Sequence, residues 1–219
     1  MQLPDKQIKS IVLVGTFNPT IFQPAWFVGQ NLIGETEGIN AEINIIHSDV
    51  VNFRLEWCNL EVTRERVVVT TTQESAFERI RDLTIGTFRL LAHTPVSMLG
   101  INLEMHFRMK SVEDWHSFGH QLAPKEPFWN ETLKNPGTLN VSIHGERPDK
   151  YFGRIMVDVK PSDKVLHGVS FRINDHFEIE DKKHIIGCDH IINILEEEWN
   201  NSQERASNII ANTLGKIGY

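Results

Sequence analysis

The sequence is poor in cysteine, with only Cys58 and Cys188 among its 219 residues. Two cysteines cannot form the set of disulfide bonds that stabilises small secreted domains. No stretch of 18 consecutive apolar residues is present, so the sequence offers no candidate for a transmembrane helix. The first ten residues, MQLPDKQIKS, lack the apolar segment of a secretory signal. We therefore expect a cytoplasmic protein that does not associate with membranes.

Positive charge is also scarce and scattered. Lys and Arg number 22 against 29 Asp and Glu, which gives a net charge of −7 at pH 7. The adjacent basic pair Lys182–Lys183 directly follows Glu180 and Asp181. A nucleic-acid-binding protein needs a basic surface that replaces the counterions of the phosphates. We expect no nucleic-acid partner.

The remaining composition is ordinary for a globular domain, with 40% apolar and 23% charged residues. A chain of this length suits one domain or two small ones fused tightly. A segment rich in proline divides it, and this segment also carries the aromatic pair Phe128–Trp129. We expect a single domain, residues 1–219, built of an N-terminal half (1–121), a connector (122–138) and a C-terminal half (139–219).

Alternation of apolar and polar residues predicts several strands. Ile11–Gly15 is a short apolar run that is typical of a buried strand, and Ala41–His47 alternates. Val51–Trp57 alternates as well, and its apolar phase shifts at Cys58, which predicts a β-bulge there. Leu99–Phe107 has the most regular alternation. Further strands are predicted from the same pattern at 67–72, 139–143, 155–159 and 169–173.

Two segments have the three- and four-residue spacing of amphipathic helices, at about 74–92 and about 189–214. Gly215 stands where a C-terminal cap is expected. Parallel βαβ units are absent from the pattern, so the fold class is predicted to be α+β with mostly antiparallel sheet or sheets. Because strands and a long helix follow each other twice, the two halves could be similar β-hairpin-plus-helix units.

The segment Gly15-Thr16-Phe17-Asn18-Pro19 resembles the GTFDP element of the nucleotidyltransferase superfamily, which includes cytidylyl- and adenylyltransferases. That resemblance implies a parallel α/β fold and a following HxGH histidine pair that contacts nucleotide phosphates. This chain has no histidine in the continuation, and Asn18 replaces the aspartate. We therefore interpret the segment as a strand that ends in a turn.

Histidines provide the candidates for a metal site. His116 and His120 are four residues apart on a short predicted helix, and His106 on the preceding strand could join them. His184, Cys188 and His190 form a second group, in which Cys188 shares the apolar phase of the last helix. Neither group has a complete set of zinc ligands at a standard spacing, so no metal and no cofactor is expected.

Catalytic motifs are absent from the sequence. It contains no GxSxG, SxxK, GxGxxG or P-loop. The carboxylates Glu42, Glu56, Glu61, Glu104 and Asp158 all lie on the polar sides of predicted strands. Asp175 and His176 could form a pair in a turn after a strand, although Asn174–Asp175 is also a common turn dipeptide. We identify no catalytic residue.

These observations favour a non-enzymatic protein that acts through protein–protein contact, either by self-association, with a homodimer expected, or as an accessory component. Large aromatic side chains in loops predict the interface, at Phe22, Trp26, Phe27, Phe128 and Trp129. The exposed end of the last helix is a competing interface. The alternative is an enzyme or small-molecule sensor with a pocket of His and carboxylate residues between the two halves. A third hypothesis is an acidic protein that blocks the basic surface of a partner.

Overall fold

The computed structural model describes residues 3–179 and 187–218. Nine strands in these residues form one antiparallel sheet: β1 (Lys6–Gly15), β2 (Glu42–Ile46), β3 (Val50–Arg54), β4 (Asn59–Thr63), β5 (Arg66–Thr71), β6 (Val96–Arg108), β7 (Val141–Glu146), β8 (Gly153–Pro161) and β9 (Gly168–Glu178). The helices are α1 (Pro24–Gly29), α2 (Glu35–Ile39), α3 (Phe77–Leu90), α4 (Val112–Leu122), α5 (Phe128–Thr132) and α6 (Asp189–Ile217). None of these helices is long and apolar enough to cross a membrane.

The strand order is β2-β3-β4-β5-β1-β6-β9-β8-β7. From the central pair β1–β6, the order runs outward through β5, β4, β3 and β2 on one side, and through β9, β8 and β7 on the other. Each side consists of a central strand, short helices, an antiparallel meander and one longer helix. The mixed class with an antiparallel sheet is therefore confirmed. The same order of elements begins again at Val96. The sequence placed the division later, with the N-terminal half ending at residue 121 and a connector at 122–138. That division stays a prediction.

Three helices among the described residues exceed seven residues, so the expectation of two long helices is not confirmed in that form. Helix α3 buries Ile80, Leu83 and Phe88 against the first half of the sheet. Helix α6 runs to Ile217, and Gly218 rather than Gly215 ends it, with a φ of 89° that favours glycine. The third is α4, which lies where the short helix with His116 and His120 was predicted, and its Ser111 N-cap accepts a hydrogen bond from the Asp114 amide at 3.0 Å.

The core consists of two clusters of buried side chains. The first packs α3 and the N-terminal part of α6 on β1, β3, β4 and β5. The second packs α4 and the C-terminal part of α6 on β6, β8 and β9. Ile210 and Leu214 are buried in this second cluster, so the end of α6 does not project and is not the exposed interface that the sequence suggested.

The predicted bulge at Cys58 is a tight turn between two strands. The Leu55 amide donates to the Cys58 carbonyl at 2.8 Å, and Arg54 pairs with Asn59 across the hairpin. The Thr71 hydroxyl donates to the Trp57 carbonyl at 2.6 Å and joins the turn to β5. The shift of apolar phase therefore marks a reversal of the chain, which buries Cys58 under the first half of the sheet.

A buried ionic cluster attaches the β7–β8 turn to α6. Asp175 on β9 accepts hydrogen bonds from Arg147 before β8, from Ser202 on α6 at 2.6 Å and from Arg205 on α6 at 2.5 Å. Asp149 accepts from both arginines, at 2.6 Å from Arg147 and 3.1 Å from Arg205. The side chains of Arg147 and Asp175 are only 1% and 2% exposed, so removal of one partner would leave a buried charge uncompensated.

Candidate functional site

The sheet has one covered face and one open face. Helices α1, α3, α4 and α6 pack on the face that carries Ile11, Leu13, Ile101 and Phe171. The opposite face, which we call the open face, carries the alternate residues of the same strands. Its central residues are Ile8, Ser10, Val12 and Val14 on β1; Arg66, Val68 and Thr70 on β5; Met98, Gly100, Asn102 and Glu104 on β6; Met156 and Asp158 on β8; and Arg172, Asn174 and His176 on β9.

The open face is concave across the junction of the two halves. A concavity of about 670 Å³ is lined by residues of β1, β5, β6, β8 and β9, with Lys164 from the β8–β9 loop at its rim. No helix among residues 3–179 and 187–218 contributes to this lining. A volume of this size lies in the range of protein pockets that bind small ligands.

The two sides of the concavity differ in polarity. The part of β1 that lines the concavity presents Ile8, Val12 and Val14, with Ser10 as its one polar residue. On β9 it presents a polar row, Ser170, Arg172, Asn174 and His176, at every second position. The Oγ of Ser170 and the Oδ1 of Asn174 are buried and have no hydrogen-bond partner among the described residues.

A chain of hydrogen bonds runs through His106 beside this row. Its Nδ1 lies 2.7 Å from Ser162 Oγ and its Nε2 lies 2.7 Å from Glu104 Oε1. Ser162 Oγ already accepts from the amides of Lys164 at 3.1 Å and Val165 at 2.9 Å, so its hydrogen is directed to Nδ1. The tautomer assigned by these bonds carries its hydrogen on Nε2, which donates to Glu104.

The hydrogen bonds that link Ser162, His106 and Glu104 resemble a Ser–His–carboxylate arrangement, which the sequence motifs did not reveal. The lone pairs of Ser162 Oγ are occupied by two amides, and the His106 ring is fully buried. A nucleophilic serine needs a free lone pair that faces a substrate. The arrangement therefore joins the β8–β9 loop to β6 and does not provide a nucleophile.

Glu104, His106 and Asp163 are the described residues whose ligand atoms come close enough to hold a metal ion, all within 4.8 Å of one another. Glu104 is already paired with Lys164 at 3.1 Å and Arg172 at 3.4 Å. Burial opposes ionisation of Glu104, but the hydrogen bonds from Lys164 and His106 and the charges of Lys164 and Arg172 hold its pKa below the usual range. A metal would have to displace these cations and change the His106 tautomer, so the donor set does not fit a metal site.

The three predicted histidines do not converge. His106 lies on the open face, whereas His116 and His120 are exposed on α4, which packs on the covered face. His116 and His120 border a small pocket of about 130 Å³ formed with Trp115, Phe118 and Lys125. Lys125 is buried there, and its ammonium donates to the carbonyls of Gly119 at 3.4 Å and Ala123 and to the Thr138 hydroxyl.

The two cysteines lie in the core, and of the second histidine group Cys188 is buried whereas His190 is exposed at the start of α6. Burial raises the pKa of Cys58 to about 12 and that of Cys188 to about 11, so both thiols stay protonated at neutral pH. Cys188 Sγ lies 3.2 Å from the Phe88 carbonyl. His184 lies outside the described residues. The two cysteines are free and buried, which suits the interpretation of inert core residues.

Some residues of the predicted aromatic interface are buried in the structure and others are exposed. Phe22 and Phe27 are each 1% exposed and pack on Phe88 and Phe53 in the first core cluster, so they are not surface residues. Trp26 is half-buried against them. Phe128 and Trp129 on α5 are 74% and 54% exposed.

The predicted Asp175–His176 pair is separated by the sheet. Both residues lie inside β9 rather than in a turn, so their side chains point to opposite faces. Asp175 joins the ionic cluster on the covered face, and His176 on the open face lies 2.8 Å from Glu178. The GTFNP segment ends β1 at Gly15, and Asn18 Oδ1 accepts from the Thr20 amide at 3.3 Å, as the turn interpretation predicted.

The sequence matches no protein family model, and it matches no curated protein.

Proposed function

We propose that the protein is a non-enzymatic binding module that receives a protein partner on its open face. The observation that carries the proposal is the apolar centre of that face. A sheet with one face in water normally presents polar residues there. Here Val12, Val14, Val68, Met98 and Met156 are all half-buried on the open face, with no described helix over them.

The size of the face supports a macromolecular partner. Nine strands about 4.8 Å apart extend over roughly 40 Å across the sheet. A standard protein–protein interface buries only about 800 Å² on each partner. The charged residues Arg66, Arg172, Glu104 and Asp158 surround the apolar centre with both signs. An apolar centre with a polar rim is the usual anatomy of such interfaces.

The shape of the face favours a convex partner. Two copies of this concave face would enclose an empty space between them, which costs packing interactions. A helix or a protruding loop of another protein would fill the concavity. The open face is therefore proposed for a different protein, and self-association is proposed at another surface. The exposed pair Phe128–Trp129 on α5 is proposed as an additional contact outside the open face.

Site-specific photo-crosslinking tests this proposal. A photoreactive phenylalanine analogue replaces Met98 on the open face or, as a control, Glu204, which is exposed on α6. We expect one protein to be crosslinked in its native cells from position 98 and not from position 204. We also expect that protein, once purified, to bind the unmodified chain. Equal crosslinking from both positions, or no binding by the purified protein, would overturn the proposal.

The second candidate function is a small-molecule sensor or enzyme that uses the same concavity. Its volume of about 670 Å³ and the presence of His176, Glu104 and Asp158 favour this candidate. Native mass spectrometry of the protein purified from its own cells distinguishes the two. A stoichiometric small molecule that is lost from a Met98→Trp variant would favour the sensor or enzyme.

A cytoplasmic location is part of the main proposal. Both cysteines are free and are buried in separate parts of the first core cluster. Reduced, buried cysteines are common in proteins of the cytoplasm.

A further inference from the structure

A small pocket lies on the covered side of the sheet, between α4, the segment 136–138 and the neighbouring ends of β8 and β9. Its volume is about 130 Å³. Five side chains form its apolar walls: Trp115, Phe118 and Leu122 on α4, and Val159 and Val169 on the sheet. An apolar cavity of about 150 Å³ in another protein binds benzene. The pocket therefore has room for one six-membered ring.

The walls of this pocket are fixed by contacts with the rest of the fold. The Trp115 indole donates a hydrogen bond to the Gly168 carbonyl at 3.0 Å. The Phe118 ring packs edge-on against Phe171, with their centroids 6.0 Å apart. Because these side chains are already held, a ligand that enters has little ordering of the walls to offset its binding.

The pocket opens to solvent beside two histidines. His116, His120 and Gly137 line the pocket and are exposed, so a ligand can enter between α4 and the segment 136–138. His116 and His120 are one helical turn apart, which places both imidazoles on the same side of α4. Neither imidazole has a hydrogen-bond partner among the described residues. Each ring therefore has an N–H that it can donate at the mouth of the pocket.

A buried positive charge lies beside the pocket. Lys125 lines the pocket and is 6% exposed. Its ammonium donates to the carbonyls of Gly119 and Ala123 and to the Thr138 hydroxyl, so it has no N–H left for a ligand and acts through its charge. The two carbonyls belong to the C-terminal end of α4, whose dipole offsets only about half an elementary charge.

No negative side chain balances this charge in the part of the chain that the structure describes. Lys125 pairs with no carboxylate there, and no Asp or Glu lines the pocket. The pocket is therefore a site of positive potential in a chain whose net charge is −7. A buried charge that lacks a counter-ion is costly, so an anion is the ligand that this pocket favours.

We infer that this pocket binds a small monocarboxylate whose apolar body is about the size of one ring. The ring fills the space between the apolar walls. The carboxylate stays at the mouth, where it accepts from the imidazoles of His116 and His120, and the charge of Lys125 stabilises it at longer range. The inference does not rest on the proposed function, because the pocket and the open face lie on opposite sides of the sheet.

NMR titration of the whole chain with four compounds tests the inference. Benzoate, benzyl alcohol and benzylammonium share a ring and differ in the charge of the head group, whereas 4-phenylbenzoate keeps the carboxylate and has two rings. A chelator in the buffer prevents a metal ion from bridging the two imidazoles.

We expect benzoate to shift the indole N–H signal of Trp115 in a saturable way. Benzyl alcohol should bind at least about fivefold more weakly, because it lacks the charge-assisted hydrogen bonds. Benzylammonium and 4-phenylbenzoate should give no saturable shift. Absence of a saturable shift with benzoate, or equal affinity for benzoate and any other of the four compounds, would overturn the inference.

Two tryptophan variants compare a filled pocket with an open one. Leu122 is half-buried in the pocket wall, so Leu122→Trp fills the space. Leu133→Trp is the control, because Leu133 is 54% exposed and lies outside the pocket lining. We expect Leu122→Trp to weaken benzoate binding at least about tenfold, through loss of apolar burial, and Leu133→Trp to leave it unchanged. Benzoate binding of wild-type strength by the folded Leu122→Trp protein would overturn the inference.

Removal of the two imidazoles separates recognition of the head group from binding of the ring. His116 and His120 are exposed, so a variant that carries both His116→Ala and His120→Ala should fold even if Leu122→Trp does not. We expect benzoate binding to weaken at least about fivefold and benzyl alcohol binding to change less than about twofold. His144→Ala, at an exposed position on β7, is the control and should change neither. Unchanged benzoate binding by the double variant would overturn the inference.

Discussion

Asp175 shows how one residue takes on a role that its neighbours in sequence do not suggest. Alternation along β9 directs Asp175 to the covered face and Asn174 and His176 to the open face. Its carboxylate is 2% exposed and holds two arginines from distant segments. The Asp–His pair considered from the sequence assumed a turn, in which adjacent side chains can meet. In a strand they cannot.

Replacement of Asp175 by Asn should destabilise the protein strongly. The amide keeps the shape but removes the negative charge that lies between Arg147 and Arg205. Breaking a buried ionic network in this way costs about 3 kcal/mol or more of unfolding free energy. Urea unfolding followed by circular dichroism measures the change. Glu204→Gln, at an exposed position on α6, is the control and should change the midpoint little. An unchanged midpoint for Asp175→Asn would show that the cluster does not form.

Acid should weaken the same cluster through Asp149. Burial opposes ionisation of Asp149, but hydrogen bonds from Arg147 and the Tyr151 amide and the charges of Arg147 and Arg205 lower its pKa. A carboxyl whose pKa is lower in the folded than in the unfolded chain stabilises the fold above about pH 4, the unfolded value. That contribution is lost as the pH falls through the folded pKa.

We therefore expect the urea midpoint of the wild type to fall between pH 6 and about pH 3. In Asp149→Asn the fall should be smaller, because that carboxyl no longer titrates. Equal slopes for the two proteins would contradict a lowered pKa of Asp149 in the folded state.

Among the elements, the long alternating strands could be predicted, whereas the burial of the aromatic side chains around α1 could not. Strand β6 has thirteen residues, enough for the alternation to identify it. Helix α1 has six residues, too few for a helical period, so Phe22 and Phe27 looked like exposed loop residues. Their burial depends on packing against Phe88 of α3 and Phe53 of β3, which no local pattern shows.

Helix α3 gives a direct test of the first core cluster. Phe88 is 1% exposed and contacts both Phe17 and Phe22, so Phe88→Ala should cost about 3–5 kcal/mol of unfolding free energy. Leu90→Ala on the same helix is the control, because Leu90 is 52% exposed. Chemical denaturation of both variants measures the difference. Similar losses for the two would show that the covered face of α3 has been assigned wrongly.

At the scale of the whole molecule, the site depends on strand order. The open face combines β1, β5, β6, β8 and β9, and the sequence does not say which of these strands are neighbours. Asn102 and Asn174 become adjacent only because β6 pairs with β9. His106 is separated from His116 and His120, which the sequence had grouped, because α4 packs on the covered face and His106 lies on the open face. Fold class could therefore be predicted from periodicity, whereas the site could not.

The homodimer is expected at the free edge of the sheet. Among residues 3–179 and 187–218, strand β2 has no neighbour on its outer side, and it exposes Ile43, Ile45 and Ile46 at 56%, 43% and 42%. Unpaired apolar edges associate with a second strand. Light scattering should give twice the chain mass of 25.2 kDa at micromolar concentration. Ile45→Lys should give a monomer, and Ile143→Lys on β7 at the opposite edge should not. A monomer mass at every concentration would reject self-association.

The most direct test of the account is the affinity of the partner crosslinked at position 98 for variants of the open face. Val12 is half-buried at the centre of the concavity, opposite Gly100, so a lysine there has room to fit without disturbing the core. A charged side chain at the centre of an apolar interface loses its hydration on binding and gains no ion pair in return, so it weakens binding. We predict that Val12→Lys weakens binding at least about tenfold, while Glu204→Lys on α6 leaves it unchanged. Wild-type affinity of the folded Val12→Lys protein would contradict the proposal that the open face is the binding surface.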